Sequence, residues 1–501
     1  MNVLPFSSVL PRLLAVPLLM AGCGGKAPAP AAIPPEPPAS LFVVAQAEDD
    51  DDWLDDEEDL DGDEGDGSSP VVLEPWMREA STKITAYTNG NTRAWDRLAM
   101  MSDRFGHRLS GSQALEDAID WTVQTMAADG LSNARREKVM VPHWVRGKEN
   151  LKVVGGRALT LLGLGMSVGT RGTLRAELVV AKDLEAIKDG TVDVKGKIVL
   201  IDQRMPPFDA EHSDSGYGRT VTGRTHGASE AAKKGAKAVL VASVTATSFD
   251  TPHTGALRYE DGVTKIPAAA VTLEGASHLV RLAAVGPVKL ELRMDAKLLP
   301  DAASANAVAE LRGREKPDEI VVIGGHIDSW DVGDGSSDDG AGCMMAMEAA
   351  SMLQQLGLVP RRTIRVVLFT NEENGLRGAK AYFEAHGTET HVAAIEADSG
   401  SGPPQGMGIA SEDQAVLREL SGWAPLFEGI SASDIGKGWG GADISPLMDN
   451  GVLGISVRPD HSHYFDLHHS PADTIDKIDP SDLQRNAAAM ALMAYLLAER
   501  E

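Results

Sequence analysis

Two continuous runs of apolar residues dominate the hydrophobic pattern of this chain. They cover residues 321–323 and 364–369 and contain too few polar positions for a strand that has one face in water. An alanine- and methionine-rich stretch near residues 341–356 separates them and has the composition of a helix. The pattern therefore predicts two buried, parallel β-strands joined by a helix, and hence an α/β fold.

Polar side chains follow each of these two predicted strands. His326 and Asp328 come after the first, and Glu372 and Glu373 come after the second. Ligands of open α/β sheets bind outside the carboxyl ends of the strands, and imidazole and carboxylate groups are the ligands that zinc prefers. In the extended His326-Ile-Asp328 segment we expect Asp328 to accept the second N–H of the imidazole. Adjacent glutamates point in different directions, so one is expected to bind metal and the other to hold a water molecule.

The remaining pattern predicts further elements around this central pair. Residues 75–130 are helical in pattern, with Ser112 as the N-cap of the run 114–128, and residues 135–145 are extended. Nearer the carboxyl terminus the pattern predicts a third strand at 391–396 that is followed by Asp398, a fourth at 451–457, a histidine-rich loop at 461–469 and a closing helix near 481–499.

The residue pattern of the sequence is different between residue 146 and about residue 298. Gly and Pro separate short strand-like runs, and few helices are predicted; the runs are 159–162, 176–180, 198–201, 238–241, 268–271 and 288–292. We interpret this segment as an inserted β-rich domain. The predicted boundaries are 71–145 for the first part of the catalytic domain, 146–300 for the insertion and 301–501 for the second part.

The amino-terminal region predicts export. Arg12, the apolar run 13–20 and the following small residues are typical of a signal peptide over residues 1–22. The run 19–23 resembles a bacterial lipobox, so Cys23 would be lipidated, and the protein would be an outer-membrane or cell-surface lipoprotein. The alternative is a soluble periplasmic or secreted protein. No other segment predicts a transmembrane helix.

Residues 23–70 are predicted to be a disordered tether. Its first part is rich in Ala and Pro, and residues 48–66 contain fourteen acids and no base, out of a formal net charge of −26. Like charges in a row repel one another and do not bury a core. The chain has no basic stripe that would neutralise phosphates, which argues against nucleic acid as a partner. Only Cys23 and Cys343 are present, and lipidation of Cys23 would leave no disulfide.

Five motifs occur in an order that identifies a family. They are GGHIDSWDVG, SSDDGAG, NEENG, EADSG and HHSPADT. Together they resemble the di-zinc exopeptidase family, which includes bacterial aminopeptidases and the glutamate carboxypeptidases. Further segments at 108–121, 141–147, 223–236 and 252–267 are similar to its carboxypeptidase members, and the resemblance covers roughly residues 75–500. It implies a mixed, mostly parallel sheet flanked by helices, with an inserted protease-associated domain that roofs the metal site.

The resemblance also implies a set of site residues and two zinc ions per chain. His326 and Asp398 would bind one zinc, Glu373 and His469 the other, and Asp338 would bridge both. His461, His463 and His468 stay open as alternatives to His469. A cis peptide bond is implied between Asp338 and Asp339. Glu372 would be the general base, and Asp328 would support His326. Tyr464, His468 or a backbone N–H would steady the oxyanion, and Asp443 would orient a free amine.

The implied function is hydrolysis of small unblocked peptides, dipeptides especially. Glu372 would take a proton from a water that bridges the two zinc ions, the resulting hydroxide would attack the peptide carbonyl, and Glu372 would return the proton to the leaving amine. The alternatives are an aminopeptidase of the same family, a one-zinc enzyme of the glutaminyl cyclase type, and a non-catalytic binding protein like the transferrin receptor. The expected partners are peptide substrates, a membrane only through the lipid on Cys23, and a second copy in a homodimer.

Overall fold

The computed structural model describes residues 71–501. The predictions for the signal peptide, for Cys23 and for the acidic tether concern residues 1–70 and lie outside the described residues. Within 71–501, no helix combines the length and the apolar character that a membrane span requires.

Helices and strands alternate along most of the described chain. The helices α1 to α13 are Pro75–Thr88, Arg93–Phe105, Gln113–Ala128, Glu185–Lys188, Tyr217–Thr225, Gly227–Lys233, Leu273–Val285, Ala341–Gln355, Arg377–His386, Gln414–Ser421, Ser445–Met448, Tyr464–Leu467 and Pro480–Glu499. The strands β1 to β16 are Ser132–Val145, Glu149–Val153, Ala158–Leu159, Leu161–Gly163, Leu174–Ala181, Ile198–Ile201, Ala238–Ala242, Ala268–Val271, Lys289–Met294, Lys297–Leu311, Lys316–His326, Arg362–Phe369, Thr390–Glu396, Pro404–Ala410, Asp434–Lys437 and Leu453–Pro459.

The larger body of the protein is built on an eight-stranded mixed sheet. Its strand order is β1-β10-β12-β11-β13-β16-β14-β15. The four central strands run parallel, and β11 pairs with β12 in a register that places Val321 opposite Ile364. This confirms the predicted parallel pair. Because the central strands are parallel, their carboxyl ends all open onto one edge of the sheet.

Helix α8 joins β11 to β12 and is buried along almost its whole length. Its side chains are mostly Ala and Met, which allow close contact with α13 and with the sheet. Ser112 caps α3 by accepting a hydrogen bond from the backbone N–H of Leu115 at 3.2 Å. The predicted connecting helix, the predicted cap and the predicted closing helix are all present.

The second sheet lies entirely between β1 and β10. Its order is β3-β2-β9-β5-β6-β7-β8-β4, with β5 to β8 parallel. Strands β1 and β10 are antiparallel, and Val145 pairs with Lys297 at their far end. The insertion therefore begins and ends at the tip of a two-stranded ribbon. Helices α4 to α7 accompany its strands, so this segment is more helical than its Gly- and Pro-rich sequence predicted.

Two contacts hold the insertion against the region that follows β11. Gly165 lies flat on Trp330, where an added Cβ would come within 1.9 Å of the indole. Arg146 forms an ion pair with Asp331, with Nε 2.8 Å from Oδ2. These contacts place the second sheet above the carboxyl ends of the central strands.

Candidate metal centre

His326 is the last residue of β11 and is almost completely buried. Its Nε2 lies 3.3 Å from Oδ1 of Asp338 and 3.5 Å from Oδ1 of Asp398. Its Nδ1 donates a hydrogen bond to the backbone carbonyl of Asp328 at 2.9 Å. A proton fixed on Nδ1 leaves the lone pair of Nε2 facing the two carboxylates, which is the arrangement of a metal-binding histidine.

The prediction that the Asp328 carboxylate accepts the imidazole N–H was wrong. Its Oδ1 lies 3.9 Å from Nδ1 of His326, and the carbonyl of the same residue takes the hydrogen bond because the chain turns directly after β11. Oδ1 instead accepts the backbone N–H of Glu372 at 3.0 Å, and Oδ2 accepts the hydroxyl of Ser110 at 3.3 Å. Asp328 thus fixes the turn that carries the two glutamates.

Asp338 lies between two histidines. While Oδ1 faces His326, Oδ2 lies 3.3 Å from Nε2 of His469. The Asp338–Asp339 peptide bond is cis, as the resemblance implied. Asp473 accepts the backbone N–H groups of Ser337 and Asp338 at 2.7 and 3.1 Å and so holds this segment in place.

Asp339 has a different role from its neighbour. Its Oδ2 accepts the backbone N–H of His326 at 2.9 Å, and its Oδ1 accepts that of Gly342 at 3.0 Å. It therefore ties the end of β11 to the start of α8. Gly325 makes room for this carboxylate, because an added Cβ would lie 2.3 Å from Oδ2.

Glu373 and His469 meet on the other side of Asp338. Nε2 of His469 lies 3.0 Å from Oε2 of Glu373. Asp398 follows β13 on the side of His326, where the hydroxyl of Tyr464 approaches its Oδ1 at 3.5 Å. The structure thus brings together all five residues that the resemblance named as metal ligands, although they are spread over more than 140 positions of the sequence.

The other histidines of the last loop differ in position. His461 contacts the carbonyl of Ser213, and His463 is exposed beside Asp466. His468 is closer to the site: its ring stacks on that of His469, and its Nε2 lies 3.8 Å from Oδ2 of Asp338. His469 makes the shorter approaches to both carboxylates.

Burial dominates the electrostatics of the site. It raises the pKa of Glu372 well above its ordinary value, and nearby Asp398 and Asp328 add to the increase. It raises the pKa of Glu373 in the same way, together with Asp338. Burial would lower the pKa of His326, but Asp398 and Asp338 raise it well above its usual range. Among the described residues, the five candidate ligands contact one another more closely than Glu372 contacts any of them. Their charges nevertheless affect the pKa of Glu372.

The donor set fits two zinc ions. Two groups of ligand atoms each converge within 4.8 Å: one comprises His326, Asp338 and Asp398, and the other comprises Asp338, His468 and His469. Oδ2 of Asp338 and Oε1 of Glu373 are buried without a hydrogen-bond partner. Buried carboxylate oxygens are costly when they lack a partner, and a cation between them would remove that cost.

Sequence reasoning missed two residues that the insertion contributes to the edge of the site. Arg224 of α5 is buried, and its Nη1 lies 3.4 Å from Nδ1 of His469. His253 is also buried, and its Nδ1 donates to the carbonyl of His468 at 2.7 Å. The segments 223–236 and 252–267 contributed to the family resemblance, but no spacing in them indicated contact with residues more than 200 positions away.

Two family models match the chain. A model of Peptidase family M28 matches residues 306–494, and a model of the PA domain matches residues 174–279. The first range contains all five candidate ligands, and the second contains Arg224 and His253.

Curated relatives match over most of the chain. Carboxypeptidase Q of Mus musculus is 38% identical over 433 residues, which is 85% of this chain and 90% of that protein. Carboxypeptidase Q of Homo sapiens is 37% identical and covers 85% of this chain and 89% of its own length.

Solved structures match over a similar span. A peptidase M28 precursor from Shewanella amazonensis SB2B has 33% identity and a TM-score of 0.80, and covers 85% of this chain and 97% of its own. A zinc aminopeptidase from Bacillus subtilis has a TM-score of 0.62, with 82% of this chain and 95% of the other covered. Its identity is 22%, so this likeness concerns the fold.

Proposed function

The chain belongs to peptidase family M28 and is a zinc-dependent exopeptidase, and from this premise we propose that it hydrolyses small peptides whose two ends are free. The observation that carries the proposal is the site itself: five candidate metal-ligand side chains and a buried glutamate converge beside a buried arginine for which residues 71–501 supply no acidic partner. The first group supports peptide hydrolysis, and the arginine supports selection of a carboxylate.

We assign His326 and Asp398 to one zinc ion, Glu373 and His469 to the other, and Asp338 to both. When bound, the two ions polarise the peptide carbonyl and lower the pKa of the attacking water. The protein's contribution is orientation. Asp328 fixes the turn of Glu372 and Glu373, and Asp473 fixes the backbone of Asp338.

Glu372 is the proposed general base and then the general acid. It accepts a proton from the attacking water as the new C–O bond forms at the peptide carbon. It then donates that proton to the nitrogen as the C–N bond breaks, so the products are an amine and a carboxylate. One carboxylate thus carries the proton from the water to the leaving nitrogen, which requires a group that can both accept and donate it.

Arg224 is the proposed partner of the substrate's terminal carboxylate. Its guanidinium contacts the carbonyl of Thr254 and Nδ1 of His469 at 3.4 Å each, and its buried Nε lacks a hydrogen-bond partner. Among the described residues, the guanidinium contacts Thr254, His469 and the ring of Tyr217, and none of these partners is an acid. A buried guanidinium without an anion is unfavourable, and a carboxylate can bind its fork with two hydrogen bonds.

Asp443 is the proposed partner of the free amino end. It is almost fully buried on the loop before α11, and neither of its carboxylate oxygens has a hydrogen-bond partner. Glu396 accepts a hydrogen bond from the backbone N–H of Ile444 at 2.9 Å and so fixes the position of this loop. An ammonium group would compensate the buried carboxylate. Tyr464, whose hydroxyl approaches Asp398, is the proposed donor to the developing oxyanion.

The test of the function is zinc content together with hydrolysis of matched peptides. We expect near two zinc ions per chain and chelator-sensitive cleavage of a free dipeptide. The N-acetylated dipeptide and the dipeptide amide should both be cleaved more slowly. If the amide were cleaved as fast as the free dipeptide while the N-acetylated dipeptide was not, the aminopeptidase alternative would be favoured. Zinc binding without cleavage of any peptide would favour the binding-protein alternative.

We further propose that the chain is exported and anchored by a lipid on Cys23. The supporting observation is the Arg12-led apolar run that ends in the lipobox-like sequence at 19–23. Cell fractionation of the wild type and of Cys23→Ala tests this, because only the wild type should sediment with membranes. Light scattering at increasing concentration tests the homodimer.

A further inference from the structure

A short loop of the insertion lies directly on the last histidine pair. The imidazole of His253 donates from Nδ1 to the carbonyl of His468 at 2.7 Å. The backbone N–H of Thr254 donates to the carbonyl of His469 at 2.9 Å. Two consecutive residues of one domain therefore bind two consecutive carbonyls of the other, and all four residues are buried or nearly so.

The residue held in this way has an unfavourable backbone conformation. His469 has a φ of +59°, in the left-handed region that residues other than glycine rarely occupy. Such a conformation is unfavourable for a residue with a side chain and persists only where the surroundings impose it. The hydrogen bonds from His253 and Thr254 fall on the carbonyls at each side of this strained position. They are well placed to impose it.

The insertion also contacts the side chain of His469. Nη1 of Arg224, on helix α5 of the insertion, lies 3.4 Å from Nδ1 of the His469 ring. Trp330, which packs against the ring of His469 with 5.7 Å between centroids, is itself covered by Gly165 of the insertion.

The contacting loop is fixed within its own domain. The backbone N–H of His253 donates to the hydroxyl of Ser243 at 2.9 Å. The hydroxyl of Thr254 donates to the carbonyl of Gly163 at 2.7 Å. Hydrogen bonds within the insertion therefore hold both residues in place. Residues that are held in this way can determine where His469 lies.

We propose that His253 and Thr254 are positioning residues for the second metal site, so that the insertion helps to retain zinc and does more than cover the substrate. The proposal rests on the function proposed above, in which His469 is a metal ligand. It predicts that loss of the His253 hydrogen bond weakens one zinc site selectively, while the His326–Asp398 site on the other side of Asp338 stays occupied.

The test compares three variants with the full-length wild type. His253→Ala removes the donor, and His253→Asn keeps an N–H donor near the position of Nδ1. His278→Ala is the matched control, since His278 lies on α7 of the same domain away from the site. Each protein is dialysed against a weak zinc chelator, its metal content is measured, and its melting temperature is recorded with and without zinc. Cobalt substitution gives the absorption spectrum of each site.

We expect His253→Ala to keep about one zinc ion under conditions where the wild type keeps near two, with the second bound roughly 10- to 100-fold more weakly. His253→Asn should recover most of this loss, and His278→Ala should match the wild type in zinc retention. Equal zinc retention in His253→Ala and wild type overturns the proposal. So does an equal fall in melting temperature with and without zinc, because that would indicate a role in domain packing only. A wild type that binds no zinc contradicts the proposed function instead.

Discussion

Oδ1 of Asp338 lies 3.3 Å from Nε2 of His326, at the carboxyl end of the central strand β11. Its other oxygen, Oδ2, lies at the same distance from Nε2 of His469, near the end of the chain. One carboxylate therefore separates two imidazoles that face it from opposite sides. This is the geometry expected of a bridging ligand, because each oxygen can serve a different cation.

The bridging role of Asp338 predicts an unequal effect of two substitutions. Asp338→Ala removes a ligand from both proposed zinc ions, whereas Asp398→Ala removes a ligand from one. We expect zinc content to fall towards zero in Asp338→Ala and to about one per chain in Asp398→Ala. Metal analysis after dialysis measures this directly. If Asp338→Ala retained as much zinc as Asp398→Ala, the carboxylate would not bridge.

Glu372 and Glu373 are adjacent, but substitution of each should have a different effect. Glu372→Gln removes a proton acceptor and no ligand, so kcat should fall by about 100- to 10,000-fold while zinc content stays near two. Glu373→Gln, the matched comparison, should lose zinc. Loss of metal in Glu372→Gln together with its retention in Glu373→Gln would mean that the two roles are exchanged.

Much of this site could be predicted because local pattern and chemistry coincide in it. His326 ends one buried strand and Glu373 comes shortly after the end of another, so the end of each apolar run indicated the edge of the sheet. Asp338 and His469 follow no predicted strand, and only the family resemblance identified them. The spacing alone did not separate His469 from His468, and even in the structure the two rings are stacked.

Other features were beyond the reach of local pattern. The side-chain alternation that assigned the Asp328 carboxylate to His326 fails because the backbone turns after β11 and offers a carbonyl first. Strand β14 was missed because Pro404, Gly406 and Gly408 interrupt its apolar pattern, and β15 because it has only four residues, of which Ile435 alone is apolar. Arg224 and His253 reach the site only through docking of the insertion, which leaves no periodic signal in the sequence.

The role proposed for Arg224 predicts a loss of substrate binding that depends on the carboxylate. Arg224→Met should lower kcat/KM for a free dipeptide by about 30-fold or more, since truncating a buried charge pair costs about 2–5 kcal/mol. The dipeptide amide should be affected much less. Arg224→Lys keeps the charge without the two-pronged fork and should be intermediate. An equal loss on both substrates would indicate damage to the neighbouring His469.

A histidine far from the metal site predicts a pH dependence of stability. His386 of α9 bonds to Glu137 at 3.0 Å, and this hydrogen bond raises the pKa of His386. A raised pKa stabilises the fold below the unfolded value of about 6.5, and the contribution disappears as the pH rises through the folded value. The melting temperature of the wild type should therefore exceed that of His386→Gln most clearly at low pH.

His278 supplies the control of opposite sign. Burial, together with Arg157 and Arg281, lowers the pKa of His278, so its protonation favours the unfolded chain. The melting temperature of His278→Gln should therefore rise relative to that of the wild type as the pH falls. The same trend for both variants would show that the pH effect arises elsewhere.

The packing of the insertion on Trp330 gives the last prediction. Gly165 touches the indole so closely that an added Cβ would lie 1.9 Å from Cη2 and 2.1 Å from Cζ3, and Trp330 is almost fully buried. On its other side the ring packs against His469, with 5.7 Å between centroids. Gly165→Ala must therefore push either the insertion away from the sheet or Trp330 towards His469. We expect it to destabilise the protein by about 1–3 kcal/mol, as overpacking commonly does, and to weaken zinc retention.

Gly436→Ala is the matched control, because a methyl group there meets nothing within 4 Å. A Gly165→Ala protein that matched Gly436→Ala in both melting temperature and zinc content would show that the insertion can shift on the catalytic sheet without disturbing His469.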